Sequence, residues 1–400
     1  MTTQTLKGFR DFLPKDALKR QWLKDQLIRI FEVWGFDPLE TPTLEPLELF
    51  AGNIGEDEQY FYNFTDRGGR QVALRYDQTV PACRVVGQYA RELPMPFRRY
   101  QIQPAFRAEN TQRGRYREFT QCDADIFGTT SPLADAEVIG LSLDIYRRLG
   151  FPQAKVLIND RSLLADLPYA AIVAIDKLAK IGEAGVIADM VGKGISESDA
   201  KNYLAKTTQI QPNTTLNIIF DYLKVAGFNP DWFAFSPTLA RAFSYSTGPI
   251  WEVIIPGSEG GSVLGGERYD KLVEKISGQS IPGTGFGLGF DRTLEAAQGA
   301  GLVPDFTTKT KILVTVFSPE LKDKSIELST KLRQAGYPTE LYPDAQTKLE
   351  KQLKYAAAKS IPHVAIIGPE EVAQNQVKLK TLSTGTQTLV SPNDIQSSLS

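Results

Sequence analysis

RRYQIQPAFRAENTQRGRYREFTQCDADIFG, residues Arg98 to Gly128, is the stretch on which the fold turns. Tyr100, Ile102, Pro104 and Phe106 alternate with Gln101, Gln103, Ala105 and Arg107. Further on, Thr120, Cys122, Ala124 and Ile126 alternate with Phe119, Gln121, Asp123 and Asp125. A period of two marks a half-buried strand, so the stretch predicts two strands, each with one face fit for a core. The opposite face is set with an arginine, an amide and two carboxylates. The joining loop, Asn110 to Arg117, gathers Arg113, Arg115 and Arg117 around Gly114. A guanidinium grips phosphate through two parallel hydrogen bonds, so arginines beside carboxylates point to a phosphorylated ligand and an amine-bearing one. An edge hairpin with a solvated polar face is the plainer alternative, and the rest of the chain separates the two.

The 400 residues suffice for two or three domains with substantial cores. With 42% hydrophobic and 23% charged residues the composition is that of a soluble globular protein. A net charge of −2 provides no global field for nucleic acid, so any RNA contact has to come from local patches. The sequence contains no apolar run of membrane-spanning length, and the N-terminus MTTQTLKGFRDFLP lacks a signal peptide's apolar core. Cys83 and Cys122 form no CxxC pair, which predicts a cytoplasmic setting with neither disulfide frame nor zinc site. His363 is the one histidine. Ser-His-Asp, Cys-His and multi-histidine metal mechanisms are thereby excluded, leaving arginines, carboxylates and amides for the chemistry.

Residues 15–34 read as an amphipathic helix with Leu18, Trp22, Leu23, Leu27, Ile30, Phe31 and Trp34 on one stripe, closed by Gly35. A strand follows over Asp37 to Thr41, then a hairpin over Asn63 to Leu74 around Asp66 to Gly69. LRYDQTVP places Arg75, Asp77 and Thr79 on one parity, and Pro81 opens a helix. Residues 134–149 form another helix, Ala154 to Asn159 a strand, and 161–230 a mostly helical block that reads as a small insertion. Strands return over Thr238–Ile255. In IPGTGFGLGFDR, Gly283, Gly285, Gly287 and Gly289 fall at alternate positions, interleaved with Phe286, Leu288 and Phe290. On a strand the four glycines share a face, predicting a side-chain-free floor for a planar ligand, although glycine also marks close backbone packing. The spacing is neither GxGxxG nor GxxxxGK[ST], so no Rossmann or P-loop reading is supported. From Lys311 strands and helices alternate, predicting a separate α/β domain with a mainly parallel sheet.

Three of these segments resemble the signature motifs of class II aminoacyl-tRNA synthetases. The helix leading into GFDPLETPTLE, with Pro42, is similar to the first; FRAENTQRGRYREFTQCDADIFG to the second; GTGFGLGFDR to the third. LARAFSYSTGPIWE (239–252) and GGERYDKLV (265–273) narrow the resemblance to the histidyl-tRNA synthetase family, and KGFRDFLP and VKLKTLSTGTQ also fit. The resemblance implies an α+β fold: a six-stranded antiparallel sheet with flanking helices in a catalytic domain over 1–305, a helical insertion near 161–230, and a C-terminal α/β anticodon-binding domain over 310–400. It implies ATP-dependent activation of histidine and its transfer to tRNA(His), a homodimer, and Mg²⁺ brought in with ATP rather than a metal held by this chain. Residue by residue, it implies that Arg107 and Arg292 clamp ATP phosphates, with Glu109, Arg115 and Phe119 near the nucleotide. Asp77, Thr79 and Gln121 would hold the ammonium group, Asp125 would accept from the imidazole, Arg241 would contact carboxylate and α-phosphate, and Tyr245 and Ser246 would line the histidine pocket.

The chain departs from the family pattern in places. Where RGLDYY is usual, Arg241-Ala242-Phe243-Ser244-Tyr245-Ser246 stands, so Ser244 replaces an aspartate and Ser246 a tyrosine. Glu267 replaces a glycine of GGGRYD. The competing functional readings are a non-catalytic paralogue, such as the regulatory subunit of ATP phosphoribosyltransferase, and an RNA-binding regulator. Lys311, Lys348, Lys351, Lys354, Lys359, Lys378 and Lys380 offer an RNA-facing patch in the C-terminal domain, or a solvated surface. His363 opens a core strand and reads as structural.

Overall fold

The computed structural model describes residues 3–52, 55–111, 115–241, 245–257, 261–392, 394 and 395. Arg113 and Gly114 of the arginine loop, Ser244 and its two predecessors, and 258–260 of the glycine-rich turn lie outside the described residues. The chain forms two compact units, Met1–Asp11 with Trp22–Val303 and Phe12–Gln21 with Pro304–Ser400.

The predicted hairpin is the spine of the first unit. Strands Phe97–Phe106 and Glu118–Phe127 pair antiparallel along their whole length, from Phe97 opposite Phe127 to Phe106 opposite Glu118. The sheet built on them has eight strands. Their spatial order is Asp37–Pro38, Phe97–Phe106, Glu118–Phe127, Gly283–Gly289, Ser262–Arg268, Pro249–Ile254, Lys155–Asp160 and Phe233–Phe235. The expectation of six strands is corrected by this count. The six inner strands are mutually antiparallel, and the two added edge strands each pair in parallel. The first is the opening of the strand expected over Asp37 to Thr41, cut to two residues, and the second, of three, carries too few positions for an alternation to be seen in sequence.

Tyr100, Cys122, Ala124, Ile126, Phe286 and Leu288 turn one face of this sheet into the main core. Helix Pro14–Val33 contributes Leu23, Leu27, Ile30 and Phe31, spaced as one helical stripe. Phe31 stacks on Tyr100 with ring centroids 5.1 Å apart. Helix Pro132–Arg148, capped by Ser131, packs on the same face. Burying each such aliphatic or aromatic side chain stabilises the unit by about 1.5–3 kcal/mol, which fixes which face is left for function. In the helical block, Tyr169–Ile175, Leu178–Gly192 and Glu197–Thr208 close around their own cluster, including Ile172, Val186, Met190 and Leu204. The fourth helix, Thr214–Val225, instead sends Leu216, Ile219 and Leu223 into the main core.

The second unit holds a five-stranded sheet in the order Thr339–Leu341, Ile312–Val314, His363–Ile366, Val377–Thr381, Gln387–Val390. The first three strands are parallel and the last two pair antiparallel, so the sheet is mixed rather than mainly parallel. Only residues 382–386 join the last two strands, and a connection that short permits no crossover. Leu328 and Leu332 pack with Ile312 and Val314 on one face, Ala356 with Leu313 and Val364 on the other.

Candidate active site

Register places the polar groups in rows across the open face. Arg99, Asp125, Gly285, Glu267 and Ile250 stand opposite one another on successive strands; so do Gln101, Asp123, Gly287, Gly265 and Glu252 in the next row. Gln103, Gln121 and Gly289 form a third. Directly opposed residues project on the same face, so glycines lie between two carboxylate-bearing flanks. A Cβ on Gly285 would fall 2.0 Å from Asp125 Oδ1, and one on Gly283 would fall 2.6 Å from the Tyr269 ring. The glycine strand is therefore not a bare floor: Tyr269 and Asp125 already cover its first two glycines.

Two buried side chains carry the Arg75–Thr79 segment to this face. Arg75 donates to the Pro104 carbonyl at 2.6 Å and to the Thr41 carbonyl and Gln103 Oε1 at 2.8 Å. Gln78 donates to the Gln103 and Gln121 carbonyls at 2.7 and 3.1 Å. Asp77 is thereby held at the start of helix Thr79–Gln88, accepting from the Val80 amide at 3.1 Å, with Thr79 half-buried beside it. Burial pushes the Asp77 carboxyl up, while the Val80 amide, Arg107 and Arg99 oppose the shift.

Arg99 is fully buried, its Nη2 2.6 Å from Asp125 Oδ2, and Tyr269 donates its hydroxyl to Asp125 Oδ1. Gln121 donates to Asp123 Oδ2 at 2.8 Å, while Asp123 Oδ1 and Gln121 Oε1 are buried without a hydrogen-bond partner. Burial drives the Asp123 carboxyl well above its ordinary range, against the pull of Arg99 and with the push of Asp125 and Asp77. Unpaired buried acceptors are costly, and their persistence marks a place built for a donor.

Arg107 Nε donates to the Tyr76 carbonyl at 3.3 Å, and its guanidinium lies 4.2 Å from the Tyr76 ring centroid and 5.1 Å from that of Phe119. Arg115 pairs with Glu109 at 3.2 Å. Arg292, on the first turn of helix Phe290–Gly299, donates to the Ser262 carbonyl at 3.1 Å. Burial lowers the Arg292 pKa, and the like charges of Arg115 and Arg107 lower it further. Arg107 and Arg115 thus lie near enough for Arg292 to feel their charge, and such a group of cations suits an anion. The N-terminal segment closes against this group: Gly8 accepts from the Arg117 amide at 2.9 Å, and Arg10 pairs with Asp291 at 2.9 Å.

Arg241 flanks the glycines from the other side. Its backbone is in the left-handed region at φ 44°, uncommon for a bulky residue. Its guanidinium lies 3.4 Å from Glu267 and 3.6 Å from Glu252, so close over Gly265 that a Cβ there would sit 1.9 Å from Nη1. Burial opposes the Arg241 charge, but Glu267 and Glu252 outweigh it and raise its pKa. Ser246 donates to Glu267, and the Tyr245 ring meets Tyr269 edge-on at 6.3 Å. Burial raises the Tyr245 pKa, as do the charges of Glu267 and Asp77.

The residues singled out from sequence thus gather on one sheet face. Arg99, Glu252 and Tyr269 belong to the same cluster and were not among them. Asp123 was read onto the polar face with Gln121 and Asp125 but given no role of its own. For Arg99 and Glu252 the signal is cross-strand register, which no single sequence displays.

A glycine-lined antiparallel sheet with converging arginines and buried carboxylates suits a nucleotide-dependent ligase. The family profile described as histidyl-tRNA synthetase matches residues 8–184, and that described as an anticodon binding domain matches 311–400. The histidine–tRNA ligase of Rhodopirellula baltica is 36% identical, covering 95% of this chain and 93% of that protein. That of Gloeobacter violaceus is 35% identical, covering 96% and 95%. A crystal structure of histidyl-tRNA synthetase from Nostoc sp. PCC 7120 aligns with TM-score 0.85 at 27% identity, covering 100% of this chain and 99% of that one. The fold and the near-full-length relatives are those of an aminoacyl-tRNA synthetase. Within that class, the chain belongs to the histidyl-tRNA synthetase family.

Proposed function

We propose that this chain activates L-histidine with ATP and transfers it to the 3′ end of tRNA(His). The observation that carries the reading is the row of Gln121, Asp123 and Asp125 opposite Gly289, Gly287 and Gly285, with buried oxygens of Gln121 and Asp123 left unpartnered and Arg107 packed on Tyr76 and Phe119 nearby. In the first step a histidine carboxylate oxygen attacks the α-phosphorus and pyrophosphate leaves. In the second a terminal ribose hydroxyl attacks the activated carbonyl and AMP leaves. Neither step needs a covalent enzyme intermediate, so positioning and charge stabilisation account for the catalysis.

In this reading Arg107 and Arg292 hold the phosphates, with Glu109, Arg115 and Phe119 at the nucleotide. Asp77, Thr79 and Gln121 take the ammonium group, and the unpartnered oxygens of Gln121 and Asp123 support that assignment. Asp125, oriented by Arg99 and Tyr269, receives the imidazole N–H; Tyr245 and Ser246 line the pocket; Arg241 meets the carboxylate and α-phosphate. A buried acceptor discriminates because a side chain without a ring N–H leaves it unpaired. Mg²⁺ would accompany ATP on its phosphates and offset their charge, and the carboxylate oxygens of Glu252, half-buried beside Arg241, would suit such a hard cation.

Residues 1–305 act as the catalytic domain and 310–400 as the anticodon-binding domain, in a cytoplasmic homodimer. No helix among the described residues is long and apolar enough to cross a membrane. The non-catalytic reading is not favoured, because the ligase relatives match over nearly the whole chain and the C-terminal segment matches an anticodon-binding profile. ATP–pyrophosphate exchange tests the proposal. Exchange that depends on histidine is expected; none, or equal exchange with other amino acids, overturns it.

A further inference from the structure

Residues 6–10 lie in the first unit, outside any helix or strand. A tight turn shapes them: the Phe9 amide donates to the Leu6 carbonyl at 3.0 Å, and the Thr5 hydroxyl donates to the Phe9 carbonyl at 3.1 Å. The Phe9 ring anchors the turn, meeting the Tyr62 ring edge-on at 6.0 Å. Gly8 stands in the left-handed region at φ 89°, where a side chain is strained, and a Cβ there would fall 2.7 Å from Arg117 Cγ. That close approach lets the Gly8 carbonyl accept from the Arg117 amide at 2.9 Å, and the Arg117 carbonyl in turn accepts from the Arg107 amide at 2.9 Å. Main-chain hydrogen bonds thus run from Gly8 through Arg117 to one of the two arginines assigned to the phosphates.

Arg10 leads to the other. Its guanidinium lies over the Tyr116 ring, 3.2 Å from the centroid, and donates to Asp291 Oδ1 at 2.9 Å. Asp291 is buried, and its second oxygen accepts from the Thr120 amide at 3.3 Å. It stands in the first turn of helix Phe290–Gly299, one residue before Arg292. Asp291 therefore ties strand Glu118–Phe127 to the helix that carries Arg292, and Arg10 ties Asp291 to Tyr116.

We propose that residues 6–10 are a clamp that fixes Arg107 and Arg292 relative to each other, with Arg10 as a positioning residue for ATP that does not itself touch the nucleotide. The inference rests on the reading of Arg107 and Arg292 as the residues that hold the phosphates. A misplacement of about 1 Å transmitted to a reacting group costs up to about a hundredfold in rate, so loosening either route is felt at the phosphorus. The groups assigned to histidine are held through other contacts: Gln78 on the Gln103 and Gln121 carbonyls, and Arg99 and Tyr269 on Asp125. The loss therefore falls on ATP and spares the amino acid.

The test is ATP–pyrophosphate exchange on the full chain, with the concentration of active sites taken from the burst of adenylate, for R10M, R10K, D291N, R10M/D291N and G8A. R10M is expected to lower kcat/KM for ATP by about ten- to a hundredfold while KM for histidine stays within about twofold of the parent. R10K keeps the charge beside Asp291 and recovers part of the loss. D291N keeps an oxygen for the Thr120 amide and removes the ion pair, so R10M/D291N loses no more than the worse single variant. G8A pushes the Arg117 stem aside and lowers the same quantity through Arg107. Where R10M or G8A does not fold by thermal melting, D291N decides on the same readouts. A merely structural clamp would lower melting temperature and the concentration of active sites, and leave kcat per site and both KM values at the parent's. That result, losses that multiply in R10M/D291N, or a KM for histidine that rises as much as that for ATP overturns the inference while leaving the proposed activity intact. A parent chain that shows no histidine-dependent exchange overturns both.

Discussion

Replacing Arg99 by methionine tests whether the buried charge row is held together as described. The substitution keeps an unbranched side chain and removes the only cation in its row. Arg99 is 0% exposed and its partner Asp125 2%, so water cannot take over the lost contact. Asp125 keeps the Tyr269 hydroxyl, Gln101 loses a donor at 3.2 Å, and Asp123 loses the charge that most opposes its upward shift. Removing one partner of a buried pair costs about 3–5 kcal/mol at neutral pH. The pH dependence has a definite sign. The Asp123 and Asp125 carboxyls are raised above 3.8 in the native state, so the folded chain holds protons that the unfolded chain has released. Stability therefore falls as pH rises from 3.8 through the raised native values, then levels off. Without Arg99 those native values climb further, and the decline continues to higher pH. Each pH unit over which the variant keeps one extra proton adds about 1.4 kcal/mol to the deficit. Urea denaturation of parent and Arg99→Met across mildly acidic to mildly alkaline pH measures this. The deficit is expected to widen with pH; a deficit below about 1 kcal/mol at the alkaline end, or one constant across the range, refutes the reasoning.

Gly265→Ala pushes Arg241 aside, because the new Cβ falls 1.9 Å from Nη1. The obstacle is the tip of a flexible side chain, so melting temperature changes little while pyrophosphate exchange drops about 10²–10³-fold, the loss typical of one charge-stabilising donor. In the second unit Lys354, Lys359 and Lys378 are paired with Glu350, Glu340 and Glu371, which leaves Lys311, Lys348, Lys351 and half-buried Lys380, and of these exposed Lys348 and Lys351 lie together at the start of one helix as candidates for RNA contact. Replacing both with alanine should lower tRNA affinity and flatten its log–log salt dependence by about one unit per lost phosphate contact; an unchanged slope removes them from the interface. Burial, then Lys311, depresses the His363 pKa below 6.5, so the unfolded chain takes up the proton first and stability falls as pH drops through that value. His363→Gln should show a shallower acid decline in thermal melts than the parent, with exchange activity retained.

The faces of the hairpin were legible because ten-residue strands give five turns of alternation each. Tyr100, Cys122 and Ala124 went inward, and Gln121, Asp123 and Asp125 outward, as their spacing predicts. The strands Asp37–Pro38 and Phe233–Phe235 were not legible as part of the sheet, since their placement comes from pairing with distant partners. The same limit hid the pairing of Arg99 with Asp125, which are 26 positions apart and meet only through register. It also hid the contact between Ser246 and Glu267, which are 21 positions apart. Asp125 was expected to meet a ligand ring, and its neighbours Arg99 and Tyr269 add two contacts that composition and spacing do not reveal.

The alternation of faces makes assembly of the sheet its own proofreader. A slip of one residue between Glu118–Phe127 and Gly283–Gly289 would turn Asp123 and Asp125 into the hydrocarbon interior and expose Cys122 and Ala124. The same slip would drive Asp125 against Phe286 instead of Gly285. A misaligned chain is thus penalised by solvation and by shape at once, and a chain that passes both tests has the polar groups of this face aligned before any ligand arrives.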